Sequence, residues 1–124
     1  MDALIIEGTE DTPKIILNQE NGEFEISGRS LPEDCTEFYK PVLSWLEDYV
    51  KSPNEQTEFI IKLDYFNTAS SKIILDILTI LEDLQETNTS FKVIWYYDED
   101  DEDMEEAGEE YGELVDVPIE LKGY

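Results

Sequence analysis

The sequence has no histidine, a single cysteine (Cys35) and only 8 lysines and arginines among 124 residues. Each shortage removes a class of function. Without histidine the commonest general base is gone, and with it the Ser-His and Cys-His nucleophile pairs. One cysteine forms no internal disulfide, and zinc sites of the usual Cys/His type are excluded. Against the 8 bases stand 32 acids, a net charge of −24 that repels nucleic acid and anionic membranes. The same charge leaves basic protein surfaces as attractive partners. Residues 1 to 20 show no basic region followed by an apolar one, so no signal peptide is read. No apolar run approaches the ~20 residues that cross a bilayer. The expectation is a cytoplasmic protein that holds no metal or cofactor and binds neither nucleic acid nor membrane.

What is present suits a globular domain. The chain is 40% hydrophobic and 11% aromatic, and its length fits one domain, residues 1–124. Such a chain buries roughly two-thirds of its surface on folding, enough for a core without staples. Leu4-Ile5-Ile6, Lys14 to Leu17, and Glu23 to about Gly28 read as strands. Asn21-Gly22 between the last two supplies the positive φ angles of a hairpin turn. Phe38, Val42, Trp45, Leu46 and Tyr49 share one helix face. Pro41 lacks an N–H and fits a first turn, which predicts a start near Glu37 to Lys40 and an end before Pro53. "TEFIIKLDYF" is dense enough in apolar residues to predict a central strand buried on both faces. Ile73, Ile74, Ile77, Leu78, Leu81 and Leu84 mark a second helix, "FKVIWYY" another central strand, and "VDVPIEL" a last strand that Pro118 confines to an edge or a bulge. This order predicts an α/β fold: a mixed, mostly parallel sheet with right-handed crossovers, an N-terminal antiparallel hairpin and about three helices.

The stretch "YFNTASSK", residues 65 to 72, holds the candidate functional residues. It follows a central strand and opens a helix, where functional loops of open α/β sheets collect. Asn67 or Thr68 as N-cap would satisfy an orphan N–H, a contribution of ~1 kcal/mol that needs no function. The same place suits a switch. A phosphate on Thr68 would sit at the positive end of the helix dipole, one turn from the Lys72 ammonium, and add about −1.5 to −2 charge. That charge is tolerated on a surface and disruptive inside an interface. A nucleophilic role for these hydroxyls lacks an activating base, and no phosphate-cradling glycine loop occurs. Tyr65 or Phe66, whichever faces outward, would add an aromatic contact beside Ser70, Ser71 and the rest of the turn.

From Asp98 to Glu113 there are eleven acids and no base. The segment fails the EF-hand pattern, and a solvated helix face is the simpler reading. Met104, Ala107, Tyr111 and, less regularly, Leu114 predict that this helix lies against the sheet. Trp45 and Trp95 read as core rather than as a ligand-stacking pair.

Together "ISGRSLPE", "FYKPVLSWLEDYV", "LDYFNTASSKIILDIL", "VIWYYDEDDEDMEEAGEEYGEL" and "VPIEL" resemble the SiaC family of bacterial regulatory phosphoproteins, over nearly the whole chain. One small departure is Ala69, where serine is common in the family. The resemblance implies a fold similar to the STAS domains of anti-sigma-factor antagonists, with no enzymatic activity. It implies that Thr68 is the phosphoacceptor, modified by a kinase of the histidine-kinase-like ATPase type and restored by a metal-dependent Ser/Thr phosphatase. It further implies that the unmodified form binds and activates a diguanylate cyclase, raising cyclic di-GMP and promoting biofilm formation. The rival expectation is a small-molecule- or nucleotide-binding domain of the same fold.

Overall fold

The computed structural model describes residues 2–124. In chain order the elements are β1 (Leu4–Ile6), β2 (Lys14–Asn18), β3 (Glu23–Ser30), α1 (Cys35–Tyr49), β4 (Gln56–Phe66), α2 (Thr68–Leu81) with a 3-10 turn after it (Glu82–Glu86), β5 (Ser90–Tyr97), α3 (Glu102–Leu114) and β6 (Ile119–Gly123). The strands form one sheet in their sequence order. β1, β2 and β3 are antiparallel neighbours, and β3 to β6 run parallel. Gly22 takes φ 72° in the expected hairpin turn. Pro118 stands just before edge strand β6, where its carbonyl accepts from the Val93 N–H at 2.9 Å.

The strand order decides where the helices lie. Each parallel strand is added on the same side of the last, and right-handed crossovers then put every helix on one face. Burial follows this rule. Along β4, Thr57, Phe59, Ile61 and Leu63 are buried while Glu58 and Lys62 between them are exposed. The expectation of a strand buried on both faces is therefore wrong for β4, which alternates as a one-sided sheet does. Ile15, Leu17, Phe24, Ile26, Phe59, Ile61, Val93 and Trp95 form the floor of the core. Above them sit Val42, Leu46 and Tyr49 of α1, Ile74, Ile77 and Leu78 of α2, and Met104 and Tyr111 of α3. Trp45 stacks on Tyr49, with ring centroids 5.4 Å apart.

Two helix expectations need correction. α1 begins at Cys35, earlier than Pro41 suggested, because Asp34 caps it by accepting from the Glu37 N–H at 3.1 Å. Pro41 thus lies inside the helix on the solvent side, where water can satisfy the carbonyl its ring cannot reach. In α3, Leu114 leaves the apolar face and is 66% exposed; Gly108 is buried in its stead.

Gly108 sets how closely α3 approaches the sheet. A Cβ there would come within 2.5 Å of Leu121 Cδ2 and 2.6 Å of Trp95 Cδ1. The neighbouring Gly112 faces open space. Gly108→Ala is expected to destabilise by about 1–3 kcal/mol through overpacking, despite its better helix propensity. Gly112→Ala should stabilise by up to about 1 kcal/mol. Urea unfolding midpoints of the two variants check the opposite signs.

Candidate functional site

The turn between β4 and α2 is built by a bulge. β3 and β4 pair as Gly28 with Leu63, then Arg29 with Tyr65, so Asp64 is the extra residue. Gly28 accommodates the kink with φ 102°. The bulge breaks the in-out alternation: Asp64 and Tyr65 both point away from the helices, and Phe66 turns inward. This decides between the two aromatics. Tyr65 is 51% exposed, with the Arg29 guanidinium 6.0 Å from its ring centroid. Phe66 packs edge-on against Trp95, centroids 6.3 Å apart.

Asn67, not Thr68, is the N-cap of α2. Its Oδ1 accepts from the Ser70 N–H at 2.8 Å, and its own N–H donates to the Ser30 carbonyl at 3.1 Å. Thr68 is consequently the first helical residue. Its hydroxyl is exposed and engages no partner among the described residues. The other two hydroxyls of the turn are occupied. Ser71 Oγ donates to the Thr68 carbonyl at 2.7 Å. Ser70 is fully buried and donates to the Ser30 carbonyl at 2.9 Å. Its Oγ also lies 2.7 Å from Ser30 Oγ, which lies 2.6 Å from the Tyr39 hydroxyl. Donors and acceptors balance when Tyr39 donates to Ser30, Ser30 to Ser70, and Ser70 to the Ser30 carbonyl. Cys35 Sγ closes the cluster at 3.6 Å from Ser70 Oγ.

The candidate residues therefore separate by environment. Thr68, Lys72 and Tyr65 are presented to solvent, Lys72 one turn after Thr68. Asn67, Ser70 and Ser71 hold the turn in place. Ser30 and Tyr39 belong to the same framework and were not singled out in the sequence. Tyr39 does share a helical period with Val42, Leu46 and Tyr49, whereas Ser30 gives no signal.

Acid surrounds the site. A depression of about 600 Å³ beside the turn is lined by Asp64, Asp98, Asp100, Asp101, Glu102 and Asp103. Some of these carboxylates have structural work. Asp101 caps α3 by accepting from the Met104 N–H at 3.0 Å, and Asp98 accepts from the Asp100 N–H at 2.9 Å. Such a wall repels nucleotide phosphates and attracts cationic side chains. Among the described residues no group of three or more acids, cysteines or histidines is arranged to hold a metal ion. Among the described residues no helix is long and apolar enough to cross a membrane. The acid-lined depression thus gives the nucleotide-binding expectation no support.

A two-layer mixed sheet with a framed, exposed threonine describes a regulatory domain better than a catalytic one. The family model for SiaC family regulatory phosphoproteins matches residues 6–124, and the chain belongs to that family. An uncharacterized protein of Pseudomonas aeruginosa (strain UCBPP-PA14) is 31% identical over 124 residues, covering 100% of this chain and 98% of that one. The crystal structure of apo-SiaC from Pseudomonas aeruginosa superimposes with a TM-score of 0.88 at 30% identity, covering 98% of this chain and 99% of the other. The SiaC of the same organism in the crystal structure of the diguanylate cyclase SiaD in complex with its activator SiaC gives 0.89 at 30% identity, with the same coverage.

The hydroxyl framework has measurable consequences. Ser70→Ala removes a buried donor and an acceptor and is expected to cost about 1–3 kcal/mol. Thr68→Ala, on the surface of the same turn, should change stability by no more than about 0.5 kcal/mol. Guanidinium unfolding of both variants checks the contrast. Tyr39 adds a pH dependence. Burial pushes its phenol from 10.0 up to about 12, partly offset by the bond to Ser30. A raised folded pKa means that the stabilisation is complete below pH 10 and is lost as pH rises toward 12. Stability measured across that window should fall, and fall less steeply in Tyr39→Phe.

Proposed function

We propose that this chain is a non-enzymatic partner-switching regulator, a single SiaC-like domain over residues 1–124 working in the cytoplasm, with Thr68 as its phosphoacceptor. In the unmodified form it binds and activates a diguanylate cyclase, feeding cyclic di-GMP and biofilm control. A kinase of the histidine-kinase-like ATPase type adds the phosphate, and a metal-dependent Ser/Thr phosphatase removes it. The observation that carries this reading is the segregation of hydroxyls. Thr68 alone among the three in the turn is both exposed and free, at the first position of a helix. The complex of SiaD with its activator SiaC, at 30% identity to this chain, supports the choice of effector.

The physical logic is one of interface charge. A phosphate at Thr68 lies near the free amides at the start of α2 and within reach of Lys72, so the domain tolerates it. Tyr65 beside the acidic rim of Asp64, Asp101 and Asp103 makes the neighbouring surface fit for an aromatic contact flanked by cationic groups of a partner. A dianion placed in that contact must be desolvated without a matching donor, which costs several kcal/mol. Asn67, Ser70 and Ser71 keep the turn in shape; Tyr65 and Lys72 add surface.

Titration calorimetry with the diguanylate cyclase encoded in the same genome tests the reading. Wild type and Thr68→Ala should bind alike. Protein phosphorylated at Thr68 should bind at least about tenfold more weakly, a difference of about 1.4 kcal/mol, with Thr68→Asp in between. Equal affinity of all four forms would contradict the proposal.

A further inference from the structure

The chain has five asparagines, and their surroundings differ. Asn18 Oδ1 accepts from the Asn21 N–H, Asn54 Nδ2 donates to the Gln19 carbonyl, and Asn67 caps α2. The side-chain amides of Asn21 and Asn88 are exposed and engage no partner among the described residues. The residue that follows separates these two. Thr89 sets a branched side chain beside its own nitrogen, whereas Gly22 has none. Asn21 and Gly22 form the second half of the loop between β2 and β3, which closes at the pairing of Asn18 with Glu23. Gly22 stands at φ 72°, a Cβ there would meet nothing within 4 Å, and its N–H donates to no group among the described residues. Gln19 ties the first half of the loop to the segment after α1, through the Ser52 carbonyl at 2.8 Å and Asn54 at 2.9 Å. The second half has only the long bond from the Asn21 N–H to Asn18, at 3.4 Å.

We infer that Asn21 is a self-modifying site, converted through a succinimide to aspartate and isoaspartate, and that the conversion loosens the β2–β3 hairpin. The Gly22 nitrogen is the nucleophile and Asn21 Cγ the electrophile, kept within reach of each other by the chain itself. Loss of the Gly22 N–H proton to hydroxide lets the nitrogen add to Cγ. A C–N bond closes the ring, the Cγ–Nδ2 bond breaks, and Nδ2 leaves with the electron pair, taking a proton from water to become ammonia. Water then opens the ring. Cleavage between the nitrogen and Cγ gives aspartate; cleavage between the nitrogen and the main-chain carbonyl carbon gives isoaspartate, whose chain runs through Cβ and Cγ. One water is consumed and one ammonia released, with no oxidation or reduction. Ring closure must rotate the Asn21–Gly22 peptide, and an exposed, loosely tied half-loop permits this while the strands stay paired. Either product adds a negative charge between Glu20 and Glu23. Isoaspartate also adds a methylene to the backbone of a loop whose length sets the register of β2 on β3. Ile15, Leu17, Phe24 and Ile26 of these strands are core residues, so a strained turn weakens the core it closes. Nothing in this depends on the role of Thr68.

Peptide mapping of the full chain, aged in mildly alkaline buffer at physiological temperature, tests it. The peptide holding Asn21 should gain about 1 Da with first-order kinetics and resolve chromatographically into aspartyl and isoaspartyl forms. The rate should be independent of protein concentration and rise with hydroxide. Asn88 and the three hydrogen-bonded asparagines should react at least about tenfold more slowly, and Gly22→Ala should slow Asn21 by about tenfold or more. Circular dichroism verifies that this variant is folded, and the same comparison in urea-unfolded chains reads the glycine's effect apart from the fold. Converted protein, separated by ion exchange, should unfold at a lower urea concentration than the original. An Asn21 that stays intact in the folded chain while it converts in urea would overturn the inference. So would conversion at Asn88 as fast as at Asn21, or a converted protein as stable as the original.

Discussion

Three buried hydroxyls, from Ser30, Tyr39 and Ser70, hold together the end of β3, the first turns of α1 and the start of α2. Their bonds lie where the sheet floor meets two helices, out of reach of water. Any one of them left unpaired would carry the desolvation cost of an orphaned polar group. The cluster therefore fixes the start of α2 against the sheet, with the Asn67 cap and the bond from Asn67 N–H to Ser30 as its outer layer. Thr68 is placed by that framework without taking part in it. A residue so situated can change its chemistry without changing the fold, which is what a modification site requires.

The one-sided arrangement of helices shapes the rest. Sequential strand order and right-handed crossovers put α1, α2 and α3 on one face, and with them most of the acids. α3 carries Glu102, Asp103 and Glu105 in its first turn, where the helix dipole favours them, and has no base in its last turn to balance the opposite end. Packing offsets that deficit. Met104 and Tyr111 are buried, the Trp95 indole N–H donates to the Met104 carbonyl at 3.0 Å, and the Tyr111 hydroxyl donates to the Ser71 carbonyl at 2.8 Å. The last bond ties the acidic helix directly to the Thr68 turn, and the acidic segment forms part of the surface that a partner of this turn would meet.

Much of this was legible in the residues. Asn21-Gly22 announced the hairpin, the helical periods located α1 and α2, and the alternation of strands and helices gave the mixed sheet. The failures have physical causes. "TEFIIKLDYF" looked buried on both sides because Ile60 and Tyr65 are apolar, although Glu58 and Lys62 between the core positions already mark an open face. Pro41 misplaced the start of α1 because a solvent-side proline is tolerated when Asp34 caps the helix earlier. The choice between Tyr65 and Phe66 depends on a bulge opposite Gly28, and register across strands has no local signature. Ser30 was invisible for the same reason: its partner Ser70 is 40 residues away.

The central claim is that Thr68 carries the regulation and that its neighbours Ser70 and Ser71 do not. Site-resolved mass spectrometry on the protein isolated from its native cells, with phosphatases inhibited, addresses it most directly. Fragment ions should place a phosphate on Thr68 and on neither serine, since Ser70 is buried and the Ser71 hydroxyl is engaged. Phosphate on Ser70, or an unmodified turn at full peptide coverage under every growth condition sampled, would contradict the account and return Thr68 to an ordinary first residue of a helix.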